Sequence, residues 1–550
     1  MFFSNKIEHF PFCAAAICLL SATSFLLSTT HELNAQNVPL GQELLALPEE
    51  PITVEPLART RPTSFADDIG ATTLAAPSQD AIGLAASRSL GLGPAMWGDT
   101  SGDQALVRVR AVEPSRYASV NKLVRRALIA SAPPPQEVEG LLAARAEALM
   151  RFGAAEEAAS LATSVGSESD PRLAKVAASA ALVVGRDEQL CNADAIQREA
   201  DPRFWDTVRA YCLATSEDPL AGAAIGAISE LGSLEADDIL LLESMLDETL
   251  AELVTLPSAE QLDAPRIAML RRLGRASSIV EFAPLPMIAG LFSLESTGAR
   301  GALVAAEKLE AAGAIETETL RSLYISLADE LDDSTELGVR ARLTQAAFDD
   351  PDADAIGEAL LSASSSQQIG GFAQLARILA PAAAKLPDSA ARGRGATGYA
   401  IRDALLIGGF ADEAAQWTEM QALTSPIETA DAQALLAIAD PNWDGSWQRS
   451  WGDTLRERAG NGDEHARRVL GALAGFSIAP RPRIDNEPLL ETAEAGRIAE
   501  TVLALAPFVA GEPSISARRL DIVIRSLRAS GLTDDARLIA LEAMVSARWR

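Results

Sequence analysis

The chain has 550 residues, with 47 Lys and Arg against 76 Asp and Glu, for a formal net charge of −29. Hydrophobic residues make up 48% and charged residues 22%, and roughly a fifth of the chain is alanine, which excludes wholesale disorder and favours helix. A surface this acidic repels phosphate backbones and anionic lipid, and three His and four Cys leave little for metal or nucleophile chemistry, so neither nucleic acid nor a cofactor is expected.

At the N-terminus, Lys6 precedes an apolar run from Cys13 to Ser28 that is short and interrupted by Ser and Thr. A small residue, Ala35, follows at a suitable cut site, so residues 1–35 read as a cleaved secretory signal and the chain as periplasmic. An uncleaved segment anchoring the chain in the inner membrane is the alternative. No later stretch is apolar enough to span a bilayer. Cleavage removes His9, His31, Cys13 and Cys18, leaving His465 as the lone histidine and Cys191 and Cys212 as the remaining thiols. Residues 36–88 are rich in Pro, Thr and Ser with no sustained apolar period, as expected of a disordered linker.

Helical repeats are expected over 89–290. Ser119-Val120-Asn121-Lys122 matches a Ser-x-x-Lys pattern, but no Lys-Thr-Gly follows and a chance match is the better account. Leu149, Gly153 and Glu156-Glu157-Ala158 give the first helix–turn–helix signal. The Leu packs in the last turn of one helix, the Gly ends it in the left-handed region, and the acids meet the positive end of the next helix. Asp170-Pro171 and Asp201-Pro202, 31 residues apart, read as N-caps followed by Pro at the first helical position. Cys191 and Cys212 flank the second of these evenly, and in an exported protein they are expected to form a disulfide between antiparallel helices over about 187–199 and 202–215. From Glu217 to Pro265 there are twelve acids and no Lys or Arg, Asp237-Asp238 among them. These acids form either the solvated side of an apolar-faced helix or a docking surface for a basic partner.

Degenerate repeats are expected over 291–439. Leu405, Gly409 and Asp412-Glu413-Ala414 repeat the turn signal, and weaker copies lie at Gly185, Gly274 and Gly313. In a C-terminal region, 440–550, Trp443, Trp447 and Trp451 recur every fourth residue after Asp440-Pro441. On a helix they would spread over only about 80°, either as a core seam or as an aromatic stripe for a partner. His465 sits at a polar helix start and is expected to be solvated. Leu527, Gly531 and Asp534-Asp535-Ala536 carry the last turn signal. Residues 514–550 hold seven Arg against four acids and read as a hairpin that caps the array or docks on an acidic neighbour.

From turn glycine to the next proline the spacings are 18 (Gly153 to Pro171), 17 (Gly185 to Pro202) and 17 (Gly409 to Pro426). A period of 31 to 34 residues with two helices per unit points to an α-solenoid. The Gly, the acidic pair, the Ala and the distant Pro resemble the second half of a tetratricopeptide repeat. Around Gly153 the family's early Trp, Gly and Tyr positions read Leu142, Ala146 and Leu149, so the resemblance implies the hairpin stack rather than the family's peptide groove. The expected fold is therefore all-α: a right-handed superhelical stack of antiparallel hairpins after a disordered N-terminal segment. The expected function is a non-enzymatic periplasmic scaffold or adaptor binding other envelope proteins, possibly basic ones, with Trp443, Trp447, Trp451, Asp237 and Asp238 as candidate contacts. The alternative is a cell-wall-binding or lytic-transglycosylase-like protein, because Glu295-Ser296 and Gly298-Ala299-Arg300-Gly301 resemble pieces of that family's motifs at a different spacing. None of the five lysines follows a glycine, and no Gly-x-Ser-x-Gly elbow occurs, so no nucleotide loop or serine-hydrolase nucleophile is expected.

Overall fold

Capped helix starts and left-handed glycine stops organise the chain. The computed structural model describes residues 78–549 apart from 137, 166–169, 192–200, 217, 365–370, 422, 424, 441, 443–448, 481–485 and 511–513. The expected signal and most of the expected linker lie outside the described residues. The helices up to the first cysteine are α1 Gly102–Ala111, α2 Ala118–Ile129, α3 Leu141–Arg151, α4 Ala155–Thr163, α5 Pro171–Val184 and α6 Asp187–Cys191. There follow α7 Pro202–Thr215, α8 Ala221–Glu230, α9 Ala236–Leu246, α10 Ala264–Arg272, α11 Leu285–Ile288, α12 Leu294–Ala311 and α13 Thr317–Leu327. The middle continues with α14 Glu336–Asp349, α15 Ala353–Ser364, α16 Gly371–Ala383, α17 Ala396–Ile407, α18 Ala411–Gln421 and α19 Pro426–Ala439. The last are α20 Arg449–Gly460, α21 Glu464–Gly475, α22 Pro488–Glu494, α23 Ile498–Val509, α24 Ala517–Ala529 and α25 Thr533–Arg548.

The local signals work as the sequence leads one to expect. Asp170 and Asp201 accept hydrogen bonds from Arg172 N and Phe204 N, each ahead of a proline at the start of its helix. Gly153, Gly185, Gly274, Gly313, Gly409 and Gly531 all have positive φ and close the helices before them. Gly153 is needed twice over, because its φ is +75° and a Cβ there would stand 2.8 Å from Leu309 Cδ2. Helices adjacent in sequence then pack on one another: α3 on α4, α4 on α5, α16 on α17, α20 on α21 and α24 on α25. Alanine supplies much of the buried surface of these helices, with Ala146 and Ala148 of α3 and Ala158 and Ala162 of α4 fully buried.

Two boundaries differ from expectation. Residues 78–88, assigned to the linker, are already packed: Ala85–Ala86 pairs in parallel with Ala130–Ser131. Arg145, buried on α3, donates to Leu128 O, Ala130 O and Ile82 O. It thereby satisfies carbonyls left over at the end of α2, and its burial lowers its pKa to about 10. The second difference is at the C-terminus. The expected capping hairpin is not at an end, for α25 packs against α16, α17, α19 and α21, and also against α2. Next to it, α23 packs on α1 and α2. Ala499 N donates to Met96 O at 2.7 Å, and Ile515 N to the buried Tyr117 hydroxyl at 3.2 Å. Helices from the two ends of the described chain are thus joined, and α12 also meets α2.

Candidate interaction site

The junction has its own chemistry. Helix α2 starts at Ala118 after Tyr117, whose side chain makes no cap. The amides of that first turn, which have no partner within the helix, take a carboxylate from the last helix: Ala118 N and Ser119 N donate to Glu542 at 3.1 and 2.9 Å, and the Ser119 hydroxyl donates to it as well. Arg377, on α16, donates to Glu542 at 2.9 Å and clasps Glu310 of α12 through Nε and a terminal nitrogen at 3.0 and 2.9 Å. Gln374 and Thr317 also donate to Glu310, and the Lys122 ammonium lies 3.6 Å from it. Burial by itself would raise the Glu310 pKa, but Arg377, then Lys122 and Gln374, bring it down to about 2. Arg377 is raised above its ordinary value, since Glu310 and Glu542 overcome its desolvation.

Beside this ladder lies a cleft of about 540 Å³. Leu123, Pro381, Ile407, Phe410 and Leu538 supply its apolar wall, and Lys122, Arg125, Arg126, Arg321 and Arg377 its cations. Those cations are already engaged. Arg125 holds Glu157 and Gly313 O, Arg126 holds Asp535, Arg321 pairs with Glu318, and Lys122 donates to Thr317. Ser119 and Lys122, paired in the Ser-x-x-Lys match, both line the cleft as parts of this ladder. The sequence reading missed Glu310, Arg377 and Glu542. For Glu542 the signal is a charge inside an otherwise apolar helical run, Ile539-Ala540-Leu541-Glu542-Ala543-Met544, which marks a buried pair; Glu310, after Glu307-Lys308, carries no such signal.

The residues singled out from sequence fall elsewhere. Trp443 and Trp447 lie outside the described residues, and Trp451 is 3% exposed, part of the core of α20. Asp237 and Asp238 part company: Asp237 is exposed, whereas Asp238 is buried and accepts from Arg266 at 2.7 Å. Asp238 is therefore not part of an acidic docking surface. Cys191 and Cys212 are at disulfide distance, with Cα atoms 5.3 Å apart. Glu295 is exposed in the first turn of α12, next to a break at Gly298.

His465 is a correction. It is not solvated: its side chain is 17% exposed, and Nε2 lies 3.8 Å from Asp431 Oδ2. Burial lowers its pKa from 6.5; Asp431 and Asp403 oppose the shift, while Arg548 and Arg458 add to it. The unfolded chain then binds this proton more readily than the folded one. The contribution to stability is fully present above pH 6.5 and is lost as pH falls towards the depressed value. His465→Gln should flatten the fall in urea midpoint between about pH 6.5 and 5. Equal slopes for the variant and the unsubstituted chain would show that His465 contributes nothing.

Among the described residues no helix is long and apolar enough to cross a membrane, and no group of three or more His, Cys, Asp or Glu is placed to hold a metal ion. Compared with known proteins, the chain matches no family model, no curated relative and no solved structure.

Proposed function

We propose that the chain is an exported, non-catalytic scaffold of the bacterial envelope, its hairpins stacked as a right-handed tetratricopeptide-like superhelix that holds another envelope protein. The supporting observation is the cleft of about 540 Å³ beside α2, α13, α16, α17 and α25. Its wall is apolar and its charges are already paired internally, a combination that accepts the apolar side chains of a peptide segment without demanding a charged small ligand. The apolar wall also reaches solvent at Leu538, which is 42% exposed. The leader and Pro-rich segment supply export and reach in this reading.

The test is cross-linking of the purified chain in envelope extracts, followed by the same experiment with Leu538→Asp. A specific complex that falls at least tenfold in the variant, with the melting temperature unchanged, supports the reading. A complex indifferent to Leu538→Asp, or none at all, argues against it. Release of muropeptides from peptidoglycan that disappears in Glu295→Gln would replace it with the enzymatic alternative.

A further inference from the structure

Helix α8 is half covered. Ala221, Ile225 and Ile228 are buried, and the helix packs on α7. The other side, Gly222, Ala223, Gly226, Ala227 and Glu230, is exposed. A solvated helix face ordinarily carries polar side chains, but four of these five residues are Gly or Ala. A Cβ built on Gly226 meets nothing within 4 Å, and one on Gly222 meets only Leu246 Cδ1, at 3.6 Å. Leu220 and Leu231, at the two ends of the helix, are 68% and 69% exposed, and Leu246, which reaches over from α9, is 44% exposed. Three large apolar side chains around a flat, small-residue face make a surface left exposed among the described residues.

The stretch of chain that carries that face has charge of one sign. Glu230, Asp237, Glu243, Glu248 and Glu252 are exposed, and no Lys or Arg occurs between 217 and 265. Of the cations on either side of this stretch, Arg209 of α7 is half-buried and Arg203 pairs with Glu235. Arg266 holds Glu235 and Asp238, Arg272 holds Asp187, and Arg275 donates to Ala251 O. A second copy of the chain is a poor occupant. Its Arg-rich C-terminal segment uses Arg518 on Glu487, Arg528 on Gly475 O, Arg537 on Ile438 O and Arg548 near Asp403. Like charge would repel the rest of the copy.

From this face we infer a docking site for a basic amphipathic helix of a partner protein, an inference that rests on the protein-binding reading above. Small residues let the partner backbone approach to about 8–10 Å, the distance of close-packed helices. Leu220, Leu231 and Leu246 meet its apolar stripe, and Lys or Arg on both flanks of that stripe meet the carboxylates.

The probe is a labelled synthetic peptide of about 18 residues, five helical turns, with Lys flanking a Leu and Ala stripe. It is titrated with the purified chain by fluorescence anisotropy. Binding should weaken at least tenfold on going from about 0.05 to 0.5 M salt, and a peptide with Glu in place of Lys should not bind. Gly226→Leu should weaken it at least tenfold, although a helical Gly facing open space is replaced by a better helix former and the fold is kept. Glu230→Lys with Asp237→Lys should do the same. Absence of binding at low salt overturns the proposal. So does binding lost on charge reversal but untouched by Gly226→Leu, because that describes diffuse attraction without a docked helix. If the peptide fails while the Leu538-sensitive complex persists, only this face is wrong; if the peptide binds and that complex is absent, the cleft reading fails instead.

Discussion

Replacing Arg377 with alanine is expected to lower the unfolding free energy by about 3–5 kcal/mol, the cost of leaving buried charge without its partner. Arg377 stands between two carboxylates whose side chains are 0% and 5% exposed, Glu310 and Glu542. Its loss takes the guanidinium from both. Lys122, at 3.6 Å, remains the only other cation paired with Glu310 among the described residues, and Glu542 keeps only the amides and hydroxyl of α2. Arg377→Lys should recover part of the loss, because one ammonium cannot clasp Glu310 through two nitrogens and reach Glu542 as well. Arg377→Met combined with Glu310→Gln should be milder than Arg377→Ala, since it removes the uncompensated charge at Glu310 and leaves only Glu542 without its cation. Urea unfolding followed by circular dichroism reads the difference. If Arg377→Ala stays within about 1 kcal/mol of the unsubstituted chain, the ladder does not hold the ends together.

Reducing the Cys191–Cys212 bond is expected to cost about 3 kcal/mol, because the cysteines are 21 residues apart and the cross-link removes that much freedom from the unfolded chain. Without the bond, α6 keeps the packing of Leu190 and the bonds of Asp187, which accepts from Tyr211 at 2.5 Å and from Arg272 at 3.0 Å. Thiol labelling of protein recovered from an oxidising compartment should find neither cysteine free until a reductant is added. Cys191→Ser with Cys212→Ser should show the same lowered urea midpoint, and reductant should not lower it further. Full labelling without reduction would mean the pair is a pair of buried thiols, and equal stability with and without reductant would remove its structural role.

The parts of this fold that are legible in sequence are those written in a few neighbouring residues. Asp-Pro starts, glycine stops and acidic first turns act within a turn of helix, through caps and φ preferences that need no distant partner. The Cys pair belongs with them, since its two halves flank a single helix start. Where the reading depended on which side of a helix faces what, it failed or split. Asp237 and Asp238 are adjacent and carry the same charge, but a helix turns about 100° between them, and Arg266 lies on one side only. His465 looked like a surface feature, and Trp451 stood open between core and surface, because composition and charge say nothing about the helices that cover them.

Local chemistry therefore sets the helices, their turns, the all-α class and the cross-link of this chain. The union of its ends, and the cleft beside it, come from contacts no window of sequence contains. Ala118 and Ser119 meet Glu542 across more than 400 residues, and Arg377 joins them to Glu310. Neighbouring helices pack on one another through local signals, but those signals do not say how the whole chain curves. Only the tertiary structure decides whether the first and last helices meet, and so whether a lone charge in an apolar run finds its partner.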